Sequence, residues 1–399
     1  LKDDAMPARV HRIMPDDLDL DTSPEQSAAL PTMSGLLPRQ EIRKLVLRKM
    51  VQATAGIEET QFQPASLDLR LGAKAYRIRA SFLPGADRTV AQRLEALASD
   101  EITLDGGAVL DKGFVYLVEL QEFLRLPPSI AALANPKSST GRLDVFTRLI
   151  ADGADAFDAV PGGYDGPLYA EISPRSFSIR VRRGTRLNQI RFRRRVGLQG
   201  AYAAFHLSDK DLAERHAAMP LVDGEPTIRN GLVFRIDLSS GLAPDGVVGY
   251  RAKPYTDVID LDRIAAYDVE DYWEPVRARP LGQLLLDPNE FYILASAERL
   301  HIPPDLAAEM VPIDPMMGEF RVHYAGFFDP GFGWSEGNMP GSRGVLEVRS
   351  HEVPFLLEDR QAMGRLVFER LAGEPDVLYG RTPVSNYQGQ GLKLSKHFR

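Results

Sequence analysis

The chain has 399 residues, 44% of them apolar and 26% charged, with a formal net charge of −7 and no cysteine. This composition reads as a globular protein with room for two domains of ordinary size, and its acidic balance argues against a nonspecific nucleic-acid or membrane binder. Without thiolates the chain cannot build the His/Cys zinc centre of zinc-dependent nucleobase deaminases, and its seven histidines form no H-E-x-x-H pair, so any hydrolytic chemistry is expected to run on carboxylates.

Residues 1–35, rich in Pro, Asp and Ser, read as an irregular leader without the apolar core of a signal peptide. No window of about 18 apolar residues predicts a membrane-spanning helix, and a cytoplasmic location is the default. "RQEIRKLVLRKMV" (39–51) has the spacing of a short amphipathic helix, and "ASLDLRLGAKAYRIRASF" (65–82) alternates as half-buried strands do. Short segments punctuated by Gly and Pro continue to about residue 200, the pattern of a mainly β barrel or sandwich. Within them "RVRRGTRLNQIRFRRR" (180–195) alternates apolar residues with arginine and predicts strands with one solvated face.

The chain repeats itself. "VLDKGFVYLVELQEFLRLPPSIAALA" (109–134) lies over "LLDPNEFYILASAERLHIPPDLAAEM" (285–310), and the same offset carries Glu171 in "LYAEIS" onto Glu347 in "GVLEVR". A tandem duplication follows, with domains expected at 36–210 and 211–399 and a junction within 205–230. The copies differ at "NPKSSTGRLD" (135–144), where an ammonium, two adjacent hydroxyls, a glycine and a guanidinium gather between apolar segments. The second copy has "VPIDPMMG" (311–318) there, enough for a turn. The additional Lys137, Ser138, Ser139 and Arg142 therefore point to an anionic ligand such as a polyphosphate.

Glu171 lies among apolar residues of a predicted strand. It is either an exposed strand glutamate or an acid turned into a site, where one carboxylate can serve water and base in succession. Arg142 either stabilises charge at such a site or bridges strands. The terminal "SNYQGQGLKLSKHF" (385–398) reads as a frayed tail or as a segment that closes over a ligand.

"QPASLDLRLG" (63–72), "KSSTGRLDVF" (137–146), a Gly-x-x-x-x-Glu ending at Glu171, and "NYQGQG" (386–391) occur in the order seen in dCTP deaminases, relatives of the trimeric dUTPases, which the chain resembles over residues 37–399. The resemblance implies a distorted jelly-roll-like β barrel of dUTPase type, duplicated in tandem with a few short helices, in a homo-oligomer of threefold symmetry with sites between subunits. It implies conversion of dCTP and water to dUTP and ammonia, with Mg²⁺ on the triphosphate and no zinc. Lys137, Ser138, Ser139 and Arg142 fall on the family's nucleotide loop, Arg142 also near the reaction centre. Glu171 falls on the proton-shuttling acid, with Glu347 its alternative, and the backbones of Tyr169 and Ala170 fall at the cytosine edge. Tyr379 and Gln390 fall on the lid.

The departures are specific. Asp155 and Asp158 compete for a sugar-contacting aspartate in "ADGADAFDAVPGGYDG", whereas the second repeat keeps "FDPGFG" around Asp329, and Asn386 stands where the family commonly has lysine. The expectation is a second repeat that is catalytically degenerate but lends its tail to first-repeat sites. The rival readings are a dUTP pyrophosphatase, a bifunctional enzyme releasing dUMP, and a noncatalytic nucleotide-binding regulator.

Overall fold

Apolar alternation becomes paired strands throughout the chain. The computed structural model describes residues 12–13, 30–197, 205–239, 242, 244–312, 320–323, 326–335, 341–350, 352–381 and 385–399. Most of the expected leader and residues 313–318 of "VPIDPMMG" lie outside the described residues.

In the first repeat an antiparallel sheet runs in the order Val145–Ala151, Asp165–Pro174, Val115–Arg125, Leu71–Ile78, Ala98–Thr103. A second sheet holds Ala159–Val160, Ile130–Pro136, Asn188–Arg194 and Gly35–Leu36. Val118, Leu149 and Ala170 of one sheet and Ala132, Ile190 and Phe192 of the other share one buried core, the interleaving that lets two half-apolar sheets cover each other.

The second repeat has the same strand order: Phe320–His323, Ser342–Ser350, Phe291–Leu300, Val247–Ala252, Trp273–Arg277, with a facing sheet of Phe327–Phe328, Leu306–Pro312, Ala362–Arg370, Leu232–Arg235 and Thr227–Ile228. The small pair Ala108–Leu110 with Ile179–Val181 recurs as Gln283–Leu286 with Phe355–Glu358. The duplication read from sequence is thus a duplication of topology. The chain is mainly β, with short helices such as Arg39–Leu47 and Asp209–Ala218. The first ends before the predicted residue 51 because Lys49 turns left-handed (φ 56°) and Val51–Ala53 begins a strand. Among the described residues no helix is long and apolar enough to cross a membrane.

The repeats are tied together at several places, among them an aromatic cluster and a set of ion pairs. The C-terminal Phe398 packs edge-on against Tyr272 and Trp273 at 5.5 and 5.9 Å, and Trp273 meets Phe177 of the first repeat at 5.3 Å. Such aromatic pairs each add about 0.5–1.5 kcal/mol beyond the area they bury. The arginines of Asn188–Arg194 also reach into the second repeat: Arg191 binds Asp329 at 2.8 Å and the Ala308 carbonyl at 3.0 Å, and Arg193 binds Glu309 and Glu369. The face expected to be solvated is an interface of buried ion pairs.

Candidate functional site

Strand Ile130–Pro136 delivers the chain to Lys137, and one helical turn, Ser138–Gly141, follows. The turn is anchored by the Lys137 amide donating to the Leu187 carbonyl at 2.9 Å and closed by Asp144 in a left-handed conformation (φ 54°). Ser138 and Arg142, four apart and so on one side of the turn, line a narrow cleft whose other wall comes from the second repeat: Phe327–Asp329, Phe332, Glu347 and Tyr379, with Tyr387 and Gln390 of the tail. Ser139 instead lines an adjoining polar pocket.

Arg142 is only 3% exposed and is held by the tail: Nη1 donates to the Lys393 carbonyl at 2.8 Å, Nη2 to Gln390 Oε1 at 3.0 Å, and the guanidinium stacks on Tyr387 at 3.9 Å. Gln390 Nε2 donates in turn to the Arg343 carbonyl at 2.9 Å, and Gln388 bonds the Gly331 carbonyl and the Gly333 amide. Tyr379 packs on Phe332 at 5.5 Å, and its hydroxyl accepts from the Tyr387 amide at 3.2 Å. The segment whose alternatives were a frayed tail and a closing segment is stitched into both repeats.

Glu347 sits mid-strand in Ser342–Ser350, 5% exposed, with no ion-pair partner among the described residues. Burial pushes its carboxyl up to about 8; Arg142 opposes the shift and Asp144 adds to it. Asp329 accepts the Arg191 bond at Oδ1, and burial raises its pKa although Arg191 pulls the other way. Lys137 reaches Asp68 at 2.5 Å. Among the described residues no three His, Asp or Glu side chains converge as a metal site.

The structure brings Lys137, Ser138, Arg142, Tyr379 and Gln390 together with Glu347 and does not bring Glu171 to them. Glu171, 2% exposed, accepts two bonds from Arg148, at 2.5 and 3.1 Å, and Arg148 lies between the rings of Phe146 and Phe157 at 4.7 and 3.5 Å. Arg148 is the strand partner of Glu171; the strand partner of Glu347 is His323. Tyr169 belongs to a satellite cluster with Leu117 and Ile150, and Ala170 to the main core.

The strand register also fixes which first-repeat residue corresponds to Asp329. Ala132 pairs with Val160 as Ala308 pairs with Phe328, and the Leu126 amide bonds the Tyr164 carbonyl as the Ile302 amide bonds that of Phe332. The first-repeat counterpart of Asp329 is therefore Pro161. Asp155 is an exposed loop residue, and Asp158 accepts the Leu149 amide at 2.7 Å. Each repeat lacks what the other keeps: the first has the cationic loop, the second the Asp-Pro-Gly turn, an unpaired acid and the tail. Arg191 and Tyr387 were not singled out from sequence, although Tyr387 lies within the quoted tail motif.

Comparison with known proteins agrees with this architecture. Residues 33–196 match the family described as 2′-deoxycytidine 5′-triphosphate deaminase (DCD), N-terminal domain, and residues 208–398 its C-terminal domain. The crystal structure of 2′-deoxycytidine 5′-triphosphate deaminase from Agrobacterium tumefaciens is similar, with 52% identity and a TM-score of 0.80 over 85% of this chain and 99% of that one. A "dCTP deaminase, dUMP-forming" of Methanosphaera stadtmanae is 29% identical over 48% of this chain and 92% of its own length. A "probable deoxyuridine 5′-triphosphate nucleotidohydrolase" of Archaeoglobus fulgidus is 31% identical over 42% and 95% respectively.

Proposed function

This chain belongs to the 2′-deoxycytidine 5′-triphosphate deaminase family, and we propose that it hydrolyses dCTP to dUTP and ammonia with Glu347 as the proton shuttle. The observation that carries this reading is the meeting, in one cleft, of the first repeat's Ser138 and Arg142 with the second repeat's Glu347. Glu347 takes a proton from water as the oxygen attacks the ring carbon bearing the amine, delivers it to the adjacent ring nitrogen, and assists departure of the amine as ammonia. An acid with a pKa near 8 is matched to that exchange, because it both accepts and releases a proton near neutral pH. Arg142, fixed by Gln390 and Lys393, offers cationic charge to the reacting region and the phosphates. Asp329, steadied by Arg191, takes the sugar-contacting role expected of Asp155 or Asp158, and the role expected of Glu171 passes to Glu347.

Mg²⁺ enters as part of the substrate, carried by the triphosphate, and the absence of cysteine supports a reaction without zinc. The wider reading includes the dUTPase-type barrel, a homo-oligomer of threefold symmetry and a cytoplasmic location. Within it the second repeat is the partner that completes the site and not a degenerate copy. The dUMP-forming name of the Methanosphaera relative favours one second reading, in which the nascent dUTP is cleaved further to dUMP and pyrophosphate.

The test is incubation with dCTP and Mg²⁺, with and without a zinc chelator, followed by ion-exchange separation. dUTP that accumulates despite the chelator supports the primary reading; dUMP with pyrophosphate supports the second. Binding without product would leave a nucleotide-binding regulator.

A further inference from the structure

Just past Arg142 the helical turn ends on Asp144, a buried aspartate in a left-handed conformation (φ 54°, 1% exposed). A β-carbon makes that conformation unfavourable, although aspartate tolerates it better than most residues. Its carboxylate is gripped from both repeats. Ser176 Oγ of the first repeat donates to Oδ2 at 2.6 Å, and Arg349 Nη2 of the second donates to the same oxygen. Arg349 is itself buried: its Nη1 donates to the Asn289 carbonyl, and its guanidinium lies 5.8 Å from the Phe291 ring.

Arg349 stands on strand Ser342–Ser350 beside the acid of the cleft. Glu347 pairs with Ile293 and Arg349 with Phe291 in unbroken register, so both side chains project from one face of the strand. The bridge therefore joins a neighbour of Arg142 to a neighbour of Glu347. In the first repeat the residue at the same spacing from Glu171 is Ser173, so the cation belongs to the acid that faces the loop. Removing either partner would leave a buried charge without its counterion. Besides Asp144, Arg142 and Tyr387 act on Glu347 electrostatically, and Lys137, Asp329 and Tyr379 share its cleft. Lys112, Arg175, Lys253 and Glu290 line an open pocket beside Arg349.

We propose that Arg349 and Asp144 are positioning residues, whose bridge between the repeats fixes where Arg142 stands relative to Glu347. Neither lines the cleft, so they act through the loop and the strand that carry the groups that do. The inference rests on the deaminase reading with Glu347 as the shuttle.

The experiment measures kcat, KM and the pH profile of kcat/KM for dCTP, with thermal melts. It compares wild type, Arg349→Met, Arg349→Lys, Asp144→Asn, and Arg349→Met combined with Asp144→Asn. Either neutral substitution should lower kcat roughly 10- to 100-fold with KM changed less, because a misplacement of about 1 Å costs that much. The combined variant should be no worse than the worse single one, since the same bridge is lost in each. Asp144→Asn keeps the shape of the side chain and tolerates the left-handed backbone, so it should fold. It removes an anion that pushes the Glu347 pKa up, and the midpoint of the profile should fall below that of wild type. Arg349→Met leaves that anion unopposed and should move the midpoint the other way. Arg349→Lys keeps the charge without the two-armed grip, so it should hold the wild-type midpoint and recover part of kcat. Lower melting temperatures with kcat and the Asp144→Asn midpoint unchanged from wild type would mark a merely structural bridge and overturn the proposal. Wild type that yields no deaminated nucleotide, or Glu347→Gln that turns over normally, would instead sink the reading on which the inference rests.

Discussion

Raising the pH of a dCTP assay from 6 to 10 titrates Glu347 if that residue is the shuttle. Water can be activated only by the ionised carboxylate. With the carboxyl near 8, about one-tenth of the free enzyme is ionised at pH 7. kcat/KM, which reports the free enzyme, should therefore rise roughly tenfold from pH 7 to a plateau above pH 9, with its midpoint near 8. Arg142→Met removes the cation that opposes the shift and should move the midpoint higher, as well as lowering the plateau. Glu347→Gln keeps the shape of the side chain and should cost about 10²–10⁴ in kcat.

The same titration appears in stability. Below its ordinary value of 4.5 the carboxyl is protonated in both folded and unfolded chains; between 4.5 and 8 only the folded chain keeps the proton. This contribution is full below 4.5 and lost as pH rises through 8, so Glu347→Gln should gain on wild type in thermal melts at pH 9 relative to pH 5. A flat kcat/KM profile between pH 6 and 9, or a midpoint near 4.5, would refute the reasoning, because Glu347 would then be solvated or idle.

Other perturbations separate the roles of neighbouring groups. Glu171→Gln leaves the partly buried Arg148 unpaired and should cost about 1–3 kcal/mol in urea unfolding, with kcat within about threefold of wild type. Arg191→Met strips Asp329 of its partner and pushes that carboxyl further towards its neutral form; kcat/KM for dCTP should fall roughly 10- to 100-fold, mostly through KM. Gln390→Ala releases one Arg142 nitrogen and should raise KM in steady-state assays while the thermal melt stays close to wild type. Deleting residues 385–399 removes Phe398 from its aromatic cluster, so melts should show a loss of about 3–5 kcal/mol and not merely an open lid.

Much of this architecture was legible as pattern. The constant offset between the copies showed the duplication because each strand must keep its alternation to stay in the same sandwich, and Lys137, Ser138 and Arg142 stood out because a turn does not need them. The choice between Glu171 and Glu347 was not legible, since the repeats make the two acids equivalent in sequence. What separates them is that Arg142 in the loop of one repeat and Glu347 of the other line one cleft, while Arg148 occupies the acid of its own repeat. In the first repeat Pro161 stands in the motif position and nearby acids offered themselves in its place; only the pairing of Ala132 with Val160 fixes the count. Arg191 and Arg193 alternated as a solvated strand face should, and sequence alone could not show that this face is covered by Asp329, Glu309 and Glu369. The tail's glycines and amides resemble fraying in composition, yet its Gln390 and Phe398 are held by partners more than a hundred residues away.

The central claim is tested most directly by chromatographing the products of dCTP and Mg²⁺ after incubation with wild type, Glu171→Gln and Glu347→Gln at pH 8. Deaminated nucleotide from wild type and Glu171→Gln, with almost none from Glu347→Gln, is the predicted result. Turnover that survives Glu347→Gln and vanishes with Glu171→Gln would contradict the account and return the chemistry to the first repeat.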